Sequence, residues 1–266
     1  MSFLSDDLDL LRVRSPLIHN ITNFVVMNNT ANALLALGAS PVMAHSIHEV
    51  ADMAAMAGAV VLNIGTLSDS WVQSMLLAGK TANEKGIPVI IDPVGAGATP
   101  YRRKSCLQLL TACHPAVIRG NASEIMALLD ETGRSKGVDT LDQSSDALKS
   151  AVKLALNYRT VVVISGPVDY ITDGHSYSTV ENGNPLMAKV TGLGCTASAL
   201  IGAFAAVQHN AFRAAVHGMA VCGLAGERAA RTAAGPGTLQ LRFLDELYQL
   251  SPDRIKNELK SNSYGL

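Results

Sequence analysis

Gly192-Leu193-Gly194-Cys195 stands directly before a run of small and apolar residues, Thr196 to Ala206. Such a turn can simply open a tightly packed helix, with the cysteine as inert packing. It also has a chemical meaning. The free N–H groups of a helix start, together with the helix dipole, make an anion site. Glycines let the backbone pass close to a phosphate without a Cβ in the way. A thiol in the same field is expected to have a lowered pKa, because the field favours thiolate.

Polar residues also collect at the ends of four apolar runs: Asn63-Ile64-Gly65-Thr66, Asp92-Pro93, Arg119-Gly120-Asn121 and Ser165-Gly166. In open α/β sheets, ligands bind outside the carboxyl ends of the strands. Turns and caps account for any one of these groups; four together point to a site. Asp92 follows an apolar run and precedes a proline, so its carboxylate projects past the strand or forms an Asx turn. A magnesium role needs a second acidic oxygen nearby, and Glu124 in the run Arg119–Glu124 is the candidate. The alternative is a cap by Asn121 or Ser123, with a capping box that leaves Glu124 only a backbone partner.

Other chemistries fit less well. A GxGxxG fingerprint is absent near residue 22, and so is a GxxxxGK[ST] phosphate loop. A cysteine hydrolase needs a histidine partner, and none of the seven histidines sits in a telling context. Phosphoryl transfer needs positioning, magnesium, an anion hole and a modest base. Asp92, Glu124, Arg119 and the Gly192–Cys195 turn supply those parts, which favours a small-molecule kinase.

The elements that must position these residues alternate along the chain. Strands are expected at 15–22, 59–65, 87–93, 116–121 and 160–166, most without strict alternation, as in strands buried on both faces. Helical patterns lie between them at 25–37, 70–85, 123–131 and 142–157. A polar hairpin follows at 169–183, and nearly continuous helix from Gly194 onward. The fold class is α/β, a mostly parallel sheet with helices on both faces, and residues 1–266 are read as one domain, since no linker divides them. Asn28, Asn29 and Asn32 stand within five positions of the first helical pattern, where asparagine is disfavoured; subunit contact, site support and a solvated face all explain them.

The chain has 266 residues, 48% hydrophobic and 16% charged, with a net charge of −1. That balance gives no electrostatic case for a nucleic-acid or anionic-membrane partner. The one compact basic cluster, Tyr101 to Lys104, reads as a solvated helix start. Four cysteines without a C-x-x-C pair suggest neither a zinc knuckle nor a disulfide framework. The first residues are acidic before they are apolar, unlike a secretory signal, and no apolar run reaches membrane-spanning length. A cytoplasmic location is the expectation.

The segments Gly120–Leu128, Gly192–Cys195 and His19–Met43 together resemble the hydroxyethylthiazole kinase family of the ribokinase-like superfamily. The resemblance runs from about residue 15 to the last helix. It implies a ribokinase-like three-layer fold and transfer of the ATP γ-phosphate to the primary hydroxyl of 4-methyl-5-(2-hydroxyethyl)thiazole, in thiamin salvage. It also implies a homotrimer with interfacial active sites. By match of motif, Met43, Gly192 and Asn23 contact the thiazole; Arg119, Ser165 and Gly194 contact ATP; Asp92 and Glu124 hold Mg2+ through water. Cys195 takes the place of the aspartate base usual in the superfamily. Leu193, Ser165 and Pro167 depart from the expected threonine, threonine and glutamate; Leu193 keeps its backbone N–H, and Ser165 keeps a hydroxyl. Rival readings are a kinase for a pyrimidine or pyridoxal alcohol, a nucleotide-dependent dehydratase, and a non-catalytic nucleotide sensor. The dehydratases are expected to carry aspartate where Cys195 stands.

Overall fold

The computed structural model describes residues 2–129 and 140–265. One sheet of nine strands runs through it, in the order β2-β1-β3-β4-β5-β6-β7-β8-β9. The first half alternates as expected, with helices at Ser2–Arg14 and Val50–Met56 and a strand at Ser40–Val42 beyond those expected. Helix α1 (Ser2–Arg14) leads into β1 (Leu17–Ile21), then α2 (Met27–Leu37), β2 (Ser40–Val42), α3 (Val50–Met56) and β3 (Ala59–Asn63). There follow α4 (Asp69–Glu84), β4 (Val89–Asp92), α5 (Pro100–Cys113), β5 (Val117–Asn121), α6 (Ala122–Leu129), α7 (Thr140–Tyr158) and β6 (Val161–Ser165). Pairings among β1 to β6 are all parallel. Positions 130 and 131 of the helix expected over 123–131 lie outside the described residues.

The expected hairpin is β7 (Asp169–Thr172) with β8 (Ser176–Val180), antiparallel to β6 and to each other. A 3-10 turn, Pro185–Lys189, then leads to α8 (Leu193–Ala205), α9 (Ala211–Ala230), α10 (Pro236–Tyr248) and α11 (Pro252–Glu258). Strand β9 (Ser261–Gly265) closes the far edge against β8.

The central strands are buried on both faces, so consecutive residues feed opposite cores. Ile18, Val61 and Ile90 join one cluster with α1, α2, α8, α9 and α10. Ile21, Val60, Leu62 and Ile91 join the other with α3 to α7. This is the three-layer arrangement that near-continuous apolar strands require. Helix α8 is buried on every residue from Thr196 to Ala205. Its small side chains answer to close packing: a Cβ on Gly202 would stand 2.8 Å from Val61 Cγ2.

Because β1 lies between β2 and β3, the chain leaves β1 toward one side and returns on the other. The crevice between the carboxyl ends of β1 and β3 is therefore a topological switch point, and α8 begins above it. Among the described residues no helix is long and apolar enough to cross a membrane.

Candidate active site

Helix α8 starts at Gly192, whose φ of +84° is left-handed and whose Cβ would stand 2.3 Å from Val26 Cγ1. Only glycine takes that conformation and fits that space. Gly194 has a different reason: its Cβ would stand 2.7 Å from Arg119 Nη1. The glycines thus let the helix start settle on Val26 and on a buried guanidinium.

Arg119 belongs to β5, two residues before its end, and is 9% exposed. Its Nη2 donates to Ser165 Oγ at 2.6 Å, joining the ends of β5 and β6. Its Nε is buried without a partner. Asp169 also faces this cation. Burial raises its carboxyl to about 6, opposed by the Gly166 N–H and by the charge of Arg119.

Asp92 ends β4 and is fully buried. Its Oδ2 accepts from Asn63 Nδ2 and from Ser198 Oγ on α8, both at 2.8 Å. Its Oδ1 has no partner. Burial pushes the carboxyl up to about 6, against the opposing pull of Arg119 and Ser198. The expectation that this side chain projects past its strand is met only in part, because α8 covers it.

Asn63 accepts at Oδ1 from Gly65 N–H and from Asn23 Nδ2, both at 2.9 Å. Asn23 Nδ2 also lies 3.4 Å from Cys195 Sγ. A continuous line of hydrogen-bonded side chains therefore runs from half-buried Cys195 through buried Asn23 and Asn63 to Asp92. The thiol departs from the expected lowered pKa. It is pushed up to about 11, first by burial and then by the negative charge of Asp92, with the two asparagines and Arg119 opposing. Burial and the Asp92 charge together hold Cys195 as a thiol at neutral pH.

Glu124 sits in a reciprocal capping box. Its N–H donates to Asn121 Oδ1 at 2.9 Å, and its Oε2 accepts from Asn121 N–H at 2.8 Å. Oε1 accepts from Gly95 N–H at 2.9 Å, which ties the loop after β4 to α6. Among the described residues, no three His, Cys, Asp or Glu side chains gather into a direct metal cage. The donors present still suit magnesium, which keeps most of its water and takes one or two carboxylates beside nucleotide phosphates. Asp92 offers a free buried oxygen, and its charge is felt together with that of Glu124.

Met43 stands half-buried just past β2, with its carbonyl 3.3 Å from His45 Nδ1. His45 lies tilted against Trp71 at 4.7 Å between ring centres, and Trp71 meets Phe24 at 4.8 Å, also tilted. This aromatic group draws the loops after β1 and β2 to the start of α4, beside Asn23. Asn28 and Asn32 hydrogen-bond to each other at 3.1 Å on an exposed face of α2. The sequence offered no local sign of the aromatic group, nor of Ser198.

The basic cluster is a helix start, as expected, but Arg102 is half-buried and turned inward. Its guanidinium donates to Ile64 O, Val94 O and Gly65 O at 2.7–2.9 Å. It holds the loops after β3 and β4 together, and so positions the strand ends that carry Asn63 and Asp92.

Residues 8–253 match the Hydroxyethylthiazole kinase family. A hydroxyethylthiazole kinase of Leptospira biflexa serovar Patoc is 54% identical over 256 residues, 96% of each chain. The solved structure of a hydroxyethylthiazole kinase protein from Pyrococcus horikoshii OT3 superposes with a TM-score of 0.92 at 43% identity, covering 99% of both chains. The pyridoxal kinase from Staphylococcus aureus, solved with AMP-PCP and pyridoxal, shares the fold at a TM-score of 0.63 and 11% identity, over 94% of this chain and 99% of that one. The fold is therefore common to kinases of different alcohols. Full-length identity above one half, joined to the family match, is narrower: this chain belongs to the hydroxyethylthiazole kinase family.

Proposed function

We propose that the chain transfers the γ-phosphoryl group of ATP to the primary hydroxyl of 4-methyl-5-(2-hydroxyethyl)thiazole, in thiamin salvage, with Cys195 as the base for that hydroxyl. The observation that carries this reading is the Gly192–Cys195 turn. It combines a helix start that packs on the Arg119 guanidinium with a thiol at the end of a buried line of amides. In the reaction the hydroxyl oxygen bonds to the γ-phosphorus as the bond to the β,γ-bridging oxygen breaks. ADP leaves, and the hydroxyl proton passes to ionised Sγ of Cys195.

Backbone N–H groups from Gly192 to Cys195 and the α8 dipole stabilise the charge on the transferring group. Arg119, Ser165 and Gly194 hold the nucleotide phosphates from the ends of β5, β6 and α8. Asp92 and Glu124 would hold magnesium, which would supply charge neutralisation on the phosphates. Met43, Gly192 and Asn23 border the thiazole. Exposed Phe24 and Val25, next to Asn23, support a homotrimer in which a second copy covers the acceptor.

A loose transition state leaves the proton on the acceptor oxygen until late, so the base contributes modestly. Cys195→Ala is expected to lower kcat by about 10- to 100-fold with the KM for ATP unchanged. Because the resting thiol must ionise first, wild-type kcat should climb from pH 7 toward pH 10 as thiolate accumulates. Cys195→Asp should stay active at pH 7.5 with a flatter profile, since a carboxylate is already ionised there. Steady-state kinetics across pH decide this: a folded Cys195→Asp enzyme without activity contradicts the base role.

A further inference from the structure

We infer that Asn63 is a positioning residue: its carboxamide sets which end of the Asn23 amide faces Cys195, so that the sulfur meets an N–H and not a carbonyl. This inference rests on the reading of Cys195 as the acceptor base. A side-chain amide carries oxygen and nitrogen of nearly equal size, so packing alone does not choose between its two orientations. Hydrogen-bond partners choose. The deciding partner here is a backbone group. Gly65 N–H can only donate, and it lies 2.9 Å from Asn63 Oδ1. That fixes Oδ1 as the acceptor end.

Two consequences follow from this one bond. Asn63 Nδ2 must face Asp92 Oδ2, which accepts it at 2.8 Å beside Ser198 Oγ. The contact between Asn63 Oδ1 and Asn23, at 2.9 Å, must be made by Asn23 Nδ2. The same nitrogen has a second hydrogen, and Sγ of Cys195 lies 3.4 Å away. Polarity set at the Gly65 backbone is therefore passed through two carboxamides to the sulfur. With Asn23 reversed, a carbonyl oxygen would face Sγ, opposing thiolate and favouring S–H. Asn63 and Asn23 are both more than nine-tenths buried, so water does not stand in for either amide. Asn63 acts on Sγ through Asn23, and its own amide adds to the pull toward thiolate.

Alkylation of Cys195 by iodoacetamide at pH 8.5, with Cys195→Ser as the blank, reads thiolate character directly. The other cysteines, Cys106, Cys113 and Cys222, are buried with thiols held well above the usual range. Asn63→Ala and Asn23→Ala are each expected to slow alkylation about three- to tenfold. Removing a side chain opens the site and by itself would speed the reaction, so slowing separates polarity from access. The double variant should be slowed by clearly less than the product of the two single effects, because much of the effect of Asn63 passes through Asn23. Should Asn63→Ala not fold, Asn63→Ser serves the same purpose, its hydroxyl being too short to reach Asn23. An unchanged rate in the Asn63 variant, or two effects that multiply, overturns the inference. Slower alkylation with an unchanged kcat upholds the positioning role and removes Cys195 from the base role. Slower alkylation with a matching drop in kcat supports both.

Discussion

Asp92→Asn is expected to lower kcat by about 10²- to 10³-fold while the fold survives. Asparagine has nearly the same volume, and its single oxygen can accept from Asn63 and Ser198 as Oδ2 does now. What disappears is the charge and the unpartnered Oδ1. A buried acceptor without a partner is costly, and the cost has a measurable sign. The carboxyl is raised to about 6 in the fold from 3.8, so its contribution to stability is present below about pH 4 and lost as pH rises through 6. Asparagine has no such loss. In metal-free protein, thermal melts should move in favour of Asp92→Asn between pH 4 and pH 7, by up to about 3 kcal/mol at about 1.4 kcal/mol per pKa unit. A group that weakens the fold and carries the activity is what a functional site holds. A variant with near wild-type kcat would contradict the assignment.

Gly194→Ala is the second large effect. Alanine is the better helix former by about 1 kcal/mol, so on local grounds the substitution should stabilise the first turn of α8. Its Cβ, however, would stand 2.7 Å from Arg119 Nη1 and 3.1 Å from Nη2. The guanidinium has little room to retreat, being 9% exposed and bonded to Ser165 at 2.6 Å. Its displacement removes a cation from the helix start where the phosphates are placed. The kcat/KM for ATP should fall by about 10²-fold, on the scale of losing one preorganised charge-stabilising donor. The melting temperature should change by only a few degrees. An unchanged KM for ATP in a folded Gly194→Ala enzyme would separate Arg119 from nucleotide binding.

How much of this was legible before the fold was known depends on the range of each signal. Strands β1, β3, β4, β5 and β6 announce themselves because burial on both faces demands continuous apolar runs. The hairpin β7–β8 shows in its polar residues and in the Asp173-Gly174 turn. Strand β2, only Ser40–Val42, is too short to show a period. Strand β9, Ser-Asn-Ser-Tyr-Gly, is an exposed edge held by β8 and not by its own propensity. Glycine spacing at 192 and 194 was readable, and the fold supplies a steric reason for each.

Electrostatics were the least legible part. A helix start argues for a thiolate, yet burial and the charge of Asp92 hold Cys195 as a thiol. Basic residues at a helix start suggest solvent, yet Arg102 spends its donors on three carbonyls of the strand-end loops. Both outcomes depend on groups far away in sequence. Asn23 and Cys195 are 172 positions apart, and Asp92 and Ser198 are 106 apart. Short-range pattern has no access to such partners. Asn63 was visible as a polar strand end; its place between Asp92 and Asn23 was not.

The most direct test is ADP release from Mg-ATP by the purified chain, with 4-methyl-5-(2-hydroxyethyl)thiazole offered beside hydroxymethylpyrimidine and pyridoxal. Turnover of the thiazole well above the other two alcohols is the predicted result. Preferred turnover of another alcohol, or ATP binding without turnover of any, would contradict it.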